Sequence, residues 1–266
     1  MGKIIGLISL KGGVGKTSCT AKIGASLAKE FGKKVLLVDA NFSVPNLAMH
    51  FGISDYSTTI QDAIMGNSTL QKAIYPYSDS IHVVPASLEG KEVRDHYKLR
   101  ELLQPMKEFY DVILVDSSPN LHHEILSTMI ASDELYVVTS PDHPTLSATM
   151  RAVKIAKQRN TPIKGLILNK IRNKKFEIPV EEIEKATDSL VLGTIPDDLN
   201  VLEAVSKTTP VTSHAPRANA SIELNKIAAY LINESYEDPR WWNKVKNVFK
   251  RDFDKVDVNR LLTSKL

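Results

Sequence analysis

Short, almost continuous apolar runs recur along this 266-residue chain and are separated by longer amphipathic stretches. Runs of this length, rich in Val, Ile and Leu, are typical of strands buried on both faces of a sheet. Seven segments have this pattern: 3–9, 34–40, 81–87, 111–117, 134–140, 163–169 and 190–196. Between them, apolar residues follow the helical period, and the predicted helices cover about 17–32, 96–109, 121–131, 144–158, 179–188, 198–207 and 218–234. Pro105 should break or kink the second of these helices.

Strands that alternate with helices predict the α/β class, with a mostly parallel sheet covered by helices on both faces. A chain of this length is sufficient for one large domain with a substantial core. We therefore predict a single domain over residues 1–234, a short linker over 235–239 and a C-terminal amphipathic tail over 240–266.

The loop between the first strand and the first helix, SLKGGVGKTS, is a candidate phosphate site. It matches the second half of the pattern G-x-x-x-x-G-K-[ST], although Leu10 stands where the first glycine is expected. Glycines let backbone N–H groups converge on an anion, and the start of a helix adds positive potential. We expect Lys16 to reach the β- and γ-phosphates and the Thr17 hydroxyl to face Mg²⁺, rather than an ordinary glycine-rich turn. The predicted loop residues are Gly12, Gly13, Val14, Gly15, Lys16, Thr17 and Ser18.

Polar residues follow three of the other predicted strands. In parallel sheets, ligands bind at the carboxyl ends of the strands. Asp39 and Asp116 end two strands and are candidates for holding Mg²⁺ or its water shell, although each could instead cap the next helix. Asn169 ends another strand, where its amide could contact an adenine edge or could only turn the chain.

Five segments, in this order along the chain, resemble the MinD/ParA family of P-loop ATPases, whose phosphate loop departs from the standard pattern. The segments are KGGVGKT, VLLVDANFSVPNLAMHFG, DVILVDSSP, LILNK and IPDDLNVLEAVSKTTPV. The resemblance covers residues 3 to about 234, and the form DANFSVPNL is most similar to archaeal MinD-like proteins. It implies ATP and Mg²⁺ as cofactors, a homodimer in the ATP state, and Pro196 and Asp197 as further ATP contacts.

The resemblance also implies roles for two residues outside the usual phosphate cradle. Lys11 matches the family's signature lysine, which reaches across the ATP dimer to the partner's phosphates, much as an arginine finger does. It could instead be a phosphate ligand of its own subunit or a solvated charge. Asn41 stands where many members have an aspartate that orients the attacking water. Because asparagine cannot accept a proton, we expect slow hydrolysis. The predicted catalytic residues are Lys11, Lys16 and Asn41.

The charge distribution and the cysteine content give two further indications. The formal net charge is +3, but residues 240–251 hold five basic side chains and no acidic ones, so the basic excess lies in the tail. The single cysteine, Cys19, excludes an intrachain disulfide and Cys-pair metal sites, and it favours a reducing, cytoplasmic compartment. The chain starts directly with a predicted strand and has no apolar run long enough to span a bilayer, so no signal peptide or spanning helix is expected.

The tail predicts an amphipathic helix with both tryptophans of the chain on its apolar side. Its apolar residues fall within an arc of about 140° on a helical wheel, and the lysines lie outside it. Such a helix suits an anionic lipid interface, as does the C-terminal membrane helix of MinD proteins, but it could also dock on its own domain or on a partner. The residues assigned to the membrane are Trp241, Trp242, Val245, Phe249 and Phe253.

Three functions therefore compete. The first is a positioning ATPase of MinD type that hydrolyses ATP slowly, cycles on and off a membrane and is activated by a partner protein. The second is a ParA-type partition ATPase whose ATP dimer binds DNA nonspecifically. The third is a weakly hydrolysing scaffold that depends on nucleotide.

Overall fold

A computed structural model describes residues 2–89, 93, 95, 97–119, 123–158 and 161–240. Within these ranges, eight strands form one sheet in the order β3-β4-β2-β5-β1-β6-β7-β8. Neighbouring strands are parallel except at the β3 edge, where β3 pairs antiparallel with β4. The strands are β1 (Lys3–Ile8), β2 (Val35–Ala40), β3 (Tyr75–Pro76), β4 (Ile81–Val84), β5 (Val112–Ser117), β6 (Glu134–Thr139), β7 (Ile163–Ile171) and β8 (Val191–Pro196).

Helices connect the strands and cover the sheet, which confirms the predicted α/β class. The α-helices are α1 (Lys16–Phe31), α2 (Ile60–Ile64), α3 (Lys98–Leu103), α4 (His123–Ala131), α5 (His143–Gln158), α6 (Val180–Thr187), α7 (Leu199–Ser206), α8 (Val211–His214) and α9 (Asn219–Leu231). Short 3₁₀ turns cover Ala48–Phe51, Leu70–Ala73 and Gln104–Glu108. The last of these begins one residue before Pro105, so the predicted break in the helix over 96–109 is confirmed.

Alternate strand residues pack into cores on the two faces of the sheet. On one face, side chains such as Leu7 and Leu37 pack with α1 and α9. On the other face, their neighbours, such as Leu36, pack with α2 and α3, and a third cluster joins α4, α5 and α6 to β6 and β7. Because both faces are covered, the strands are apolar at nearly every position. Their shared direction brings the polar residues at their carboxyl ends to one edge.

The segment predicted as a linker packs against α9. The Asn225 amide donates to the Tyr236 hydroxyl (3.1 Å), Lys226 pairs with Asp238 (2.9 Å) and Arg240 pairs with Glu223 (2.6 Å). Residues 236–240 therefore run back along α9 toward its N-terminus. The predicted tail residues Trp241, Trp242, Val245, Phe249 and Phe253 lie outside the described residues. Within the described ranges, no helix combines the length and apolarity needed to cross a bilayer.

Candidate functional site

The loop over residues 9–15 turns the chain from β1 into α1 and presents backbone rather than side chains. Gly13 and Gly15 have φ of 80° and 88°, a left-handed conformation that glycine adopts without strain. A Cβ added at Gly13 would point into open space, whereas one at Gly15 would collide with the Asn169 amide. No described side chain caps the start of α1, and its first turn holds no acidic residue. The first N–H groups of α1 are therefore available to an anion.

Below this loop, three side chains converge on Asp116, at the carboxyl end of β5. Lys16 Nζ lies 2.8 Å from Asp116 Oδ1, Thr17 Oγ1 donates to Oδ2 (2.6 Å), and Thr20 Oγ1 donates to Oδ1 (3.0 Å). Asp116 is fully buried and Lys16 is 5% exposed. A buried ion pair is stable only when its remaining polar groups are satisfied, and the two threonines do this for the carboxylate.

Asp39 lies beside Asp116, because β2 and β5 pair in a register that places the two aspartates opposite each other. Its carboxylate accepts hydrogen bonds from the backbone N–H groups of Asn41, Asn46 and Leu47. Burial and the neighbouring Asp116 charge nevertheless raise the pKa of Asp39 to about 7. One lysine, Lys16, faces two buried carboxylates, so the site favours an additional cation.

Asn41 is buried at the start of the loop that follows β2. Its Nδ2 donates to the Val44 carbonyl (2.6 Å), and its Oδ1 accepts from the Val44 N–H (3.3 Å). Both polar ends of the amide therefore hold their own loop in this conformation. The backbone N–H of Asn41 bonds to Asp39, so the residue lies next to the paired carboxylates. Its assignment as the residue that orients the attacking water stays a prediction.

Lys11 is directed away from the Lys16 cluster and toward the start of α5. Its ammonium pairs with Asp142 Oδ1 (3.0 Å) and donates to Thr145 Oγ1 (2.8 Å). Burial opposes ionisation of Asp142, but hydrogen bonds from Ser140, Thr145 and Lys11 outweigh it and lower the pKa of this carboxyl group. In this conformation Lys11 is therefore held within its own subunit by an ion pair, an arrangement different from both a phosphate ligand and a solvated charge.

The ends of β7 and β8 form the other side of the loop. The Asn169 amide donates to the Val14 carbonyl (2.7 Å), and Lys170, in a left-handed conformation, donates to the Gly13 carbonyl (2.7 Å). Asp197 follows Pro196 and accepts from Arg172 Nε (2.7 Å). Asn169, predicted near the base, and Pro196 and Asp197, predicted as further ATP contacts, thus all lie at the carboxyl edge of the sheet.

These residues fit a nucleotide with a divalent cation. The glycine turn and the uncapped helix start suit a phosphate group, and Lys16 supplies the positive charge. Thr17, Asp39 and Asp116, the predicted metal residues, offer the hydroxyl and carboxylate oxygens that Mg²⁺ prefers. Lys11, by contrast, does not reach this cluster in the structure. Ser18 lies in the first turn of α1 and is partly exposed.

Sequence reasoning missed several partners of the site. Thr20 lies one helical turn after Lys16, so helical spacing could have indicated it. Asp142 follows β6, and the rule applied to the other strand ends would have marked it as a candidate. Lys170 and Arg172 lie one and three residues after Asn169, but their contacts with Gly13 and Asp197 depend on a backbone turn that leaves no clear sequence signal.

Comparisons with known proteins agree with this site. A family model described as an AAA domain matches residues 2–164. An uncharacterised ATP-binding protein of Methanocaldococcus jannaschii is 32% identical over 88% of this chain and 89% of its own length. A ParA family protein of Chlamydia trachomatis is 28% identical over 86% of this chain and 97% of its own length. The structure of the septum site-determining protein MinD of Pyrococcus horikoshii OT3, solved with Mg-ADP, superposes with a TM-score of 0.81 at 29% identity and covers 95% of this chain and 100% of that one.

The family model extends over the phosphate loop and the paired aspartates, and each of these relatives covers most of the chain. Their extent agrees with the resemblance carried by the five sequence segments. This chain belongs to the MinD/ParA family of P-loop ATPases.

Proposed function

We propose that this chain is an ATP-driven dimerisation switch of MinD type that attaches reversibly to an anionic membrane surface. The observation that carries the proposal is the convergence of Lys16, Thr17 and Asp116 beneath the uncapped start of α1, with Asp39 opposite Asp116. This is the arrangement that a bound nucleotide and its cation require. The proposed attachment to a membrane is inferred from the amino-acid composition of the tail.

Each residue of the cluster has a role when ATP binds. Lys16 would exchange Asp116 for phosphate oxygens, and the N–H groups of the glycine loop would hold the same phosphates. Mg²⁺ would supply the charge that neutralises the phosphates. The exchange would release the Thr17 hydroxyl and the Asp116 carboxylate for that cation, with Asp39 beside them. Asn169 would lie near the base, and Pro196 and Asp197 would be further contacts of the nucleotide.

Hydrolysis is the slower part of the proposed cycle. Phosphoryl transfer depends mainly on positioning and charge stabilisation, so an asparagine can replace an aspartate near the attacking water. Asn41 would hold that water by hydrogen bonds but cannot take its proton. Lys11 would leave Asp142 and act on the phosphates of a second subunit. We therefore propose low basal turnover that depends on dimerisation and is increased by an activating partner.

Two other functions fit the same nucleotide site. A ParA-type ATPase would use the ATP dimer to bind DNA without sequence specificity, and the basic side chains of the tail would supply positive charge for that contact too. A scaffold would dimerise on ATP with negligible turnover.

Sedimentation of the full chain with ATP, with ADP and without nucleotide tests the proposal, in the presence of either anionic vesicles or random duplex DNA. We expect ATP-dependent sedimentation with vesicles that partly survives high salt. A matched control ends at Arg240, which keeps the contacts of Asp238 and Arg240 with α9 and removes only the tail. Equal sedimentation of both chains with vesicles would contradict the membrane role, and salt-sensitive retention of DNA alone would favour the partition role.

A further inference from the structure

Helix α7 turns an apolar face toward solvent. Leu199, Leu202 and Val205 are spaced three residues apart and are 80%, 63% and 40% exposed. This spacing places them on one side of the helix, while Ala204 is fully buried against the domain. Single exposed apolar residues are ordinary on a protein surface, but a contiguous set on one helix indicates a contact site. We call these three residues the α7 face.

The described chain ends close to the start of α7. Arg240 donates to the Asn219 side chain (2.9 Å) at the first residue of α9, and it also pairs with Glu223 (2.6 Å). The next residue of α9, Ala220, has its backbone N–H 3.5 Å from Asp198 Oδ2. Asp198 is the N-cap of α7 and directly precedes Leu199. Arg240, the last described residue, is therefore linked through the start of α9 to the helix that carries the α7 face.

The composition of the tail matches this face. Trp241 and Trp242 follow Arg240 directly, and the other apolar residues of the tail recur at helical spacing behind them. An extended chain covers about 3.3 Å per residue, so the 26 remaining residues are more than enough to reach the α7 face from Arg240. We propose that, without nucleotide, the apolar side of the tail packs on the α7 face of its own subunit.

The structure favours the chain's own tail over a second copy of the protein as the occupant. Three side chains on an eight-residue helix offer far less than the roughly 800 Å² per partner that a stable protein interface buries. A segment attached at Arg240, in contrast, meets the α7 face at a high effective concentration, on the millimolar scale for short links. A small face is sufficient for an intramolecular contact.

Packing on the α7 face would cover the tail in the resting subunit. Asp197 and Asp198 join the end of β8 to α7, and Asp197 is one of the predicted nucleotide contacts. The covered tail therefore lies next to the nucleotide edge, where ligand binding can alter the contact. This inference does not depend on the proposed membrane role, because it concerns a contact made without lipid or nucleotide.

Tryptophan fluorescence of the full chain tests the contact directly, because Trp241 and Trp242 are the only tryptophans in the sequence. Without nucleotide or lipid, we expect Leu202→Glu and Leu199→Glu each to shift the emission to longer wavelength and to increase quenching by acrylamide. The matched control is Phe109→Glu, since Phe109 is 60% exposed beside the start of β5 and far in sequence from α7. It should leave the emission and the quenching as in the parent.

Dilution distinguishes the chain's own tail from a second copy of the protein as the occupant of the α7 face. Emission that stays the same on dilution, in a chain that sediments as a monomer, supports the intramolecular contact. A shift to longer wavelength on dilution, or a loss of dimer in Leu202→Glu at equilibrium sedimentation, would assign the α7 face to a second copy and overturn the inference. Identical emission in the parent and both α7 variants would overturn it as well. Because both α7 residues are more than half exposed, these substitutions should leave the thermal transition close to that of the parent.

Discussion

Asp116 binds three side chains of the site, since Lys16, Thr17 and Thr20 all bond to its buried carboxylate. Removing one member of a buried ion pair leaves the other charge without compensation. Lys16 therefore has a structural role, its ion pair with Asp116, when no nucleotide is bound, and a phosphate-binding role when ATP is bound. A substitution at Lys16 therefore affects both folding and ATP binding, and a second substitution is needed to separate the two effects.

We predict that Lys16→Ala abolishes ATP binding and lowers the free energy of unfolding by about 3 kcal/mol, the lower end of the range for breaking a buried pair. Adding Asp116→Asn removes the uncompensated charge, so the double variant should recover more than half of this loss and still fail to bind ATP. Urea unfolding and nucleotide titration measure the two effects. Normal ATP affinity in either variant would exclude the phosphate-site assignment.

Substitution of Lys11 should affect dimerisation rather than ATP binding. Its ammonium lies on Asp142, outside the glycine cradle, so Lys11→Ala should bind ATP as the parent does and remain monomeric with ATP in sizing experiments. Asp142→Asn weakens the hold on Lys11, and we expect this variant to dimerise at a lower protein concentration than the parent. If Lys11→Ala dimerises like the parent, Lys11 does not act across the dimer.

Asn41 should limit the rate of hydrolysis. Asn41→Asp supplies a carboxylate that can accept a proton, and we expect faster phosphate release at saturating ATP and Mg²⁺. Both this variant and Asn41→Ala lose the hydrogen bond from Nδ2 to Val44, and Asn41→Ala also loses the acceptor for the Val44 N–H. A rate in Asn41→Asp above those of both the parent and Asn41→Ala would therefore identify the carboxylate as the active group. Equal rates in the two variants would mean that another group positions the water.

Among the strands and helices, the sequence best predicts the elements that are most completely buried. All seven predicted strands are present, because strands covered on both faces must be apolar at almost every position. The predicted helices are also present, with ends that shift by a few residues. Capping residues make some of these ends predictable. Gly32 ends α1 in a left-handed conformation, as its position in the sequence suggests.

The region between β2 and β4 was not predictable in the same way. It holds α2, two 3₁₀ turns and the two-residue strand β3, and none of these is long enough to show a period. α2 is stabilised instead by a capping box at its N-terminus. The Thr59 side chain accepts from the backbone N–H of Asp62, and the Asp62 side chain accepts from the backbone N–H of Thr59. Likewise, Lys11 and Asp142 are 131 residues apart in sequence, and only the sheet order brings them together.

The segment that follows α9 should be stabilised in a pH-dependent way. Burial raises the pKa of Asp238, but hydrogen bonds from Arg240 and the charge of Lys226 outweigh it and hold this pKa below the ordinary value of 3.8. A lowered pKa contributes stability that is complete above the ordinary value and is lost as the pH falls further. Asp238→Asn should therefore lower the free energy of unfolding by about 1.5–3 kcal/mol at pH 7, the range for hydrogen bonds to charged groups, and by less at pH 3.

The matched control for this prediction is Asp188→Asn. Asp188 also pairs with a lysine, Lys157, but its side chain is 89% exposed, so solvent screens the pair. This variant should unfold like the parent at both pH values. An equal loss of stability in Asp238→Asn at pH 7 and pH 3 would show that the ionised carboxylate is not the stabilising group.

At the scale of the whole molecule, the sheet order explains why one edge carries the site. β5 lies between β2 and β1, so the ends of three neighbouring strands bring Asp39, Asp116 and the phosphate loop together. β6, β7 and β8 continue the same edge and add Asp142, Asn169 and Asp197. Arg240, the last described residue, is connected to the same edge through α9 and α7. A change at the nucleotide is therefore close to Lys11, which is proposed to act across the dimer, and to the segment that leads into the tail.

The proposed cycle makes membrane attachment a property of the dimer rather than of one subunit. A single short amphipathic segment binds a lipid surface weakly and reversibly, whereas two on one dimer bind together, because the second meets the surface at high effective concentration. Adding a chain that ends at Arg240 to the full chain should therefore reduce attachment. With equal amounts in ATP, random pairing places about half of the full-length subunits in mixed dimers that carry only one tail.

We expect the amount of full-length protein that sediments with anionic vesicles to fall by up to about half in this mixture, since a single anchor gives only marginal binding. The control is the same shortened chain with Lys11→Ala, which should not pair and should leave attachment unchanged. Excess shortened chain should lower attachment further, because it leaves few dimers with two tails. Attachment of the full-length chain that is insensitive to the shortened chain would show that one tail is sufficient, and ATP would then have to control attachment by exposing the tail rather than by pairing two of them.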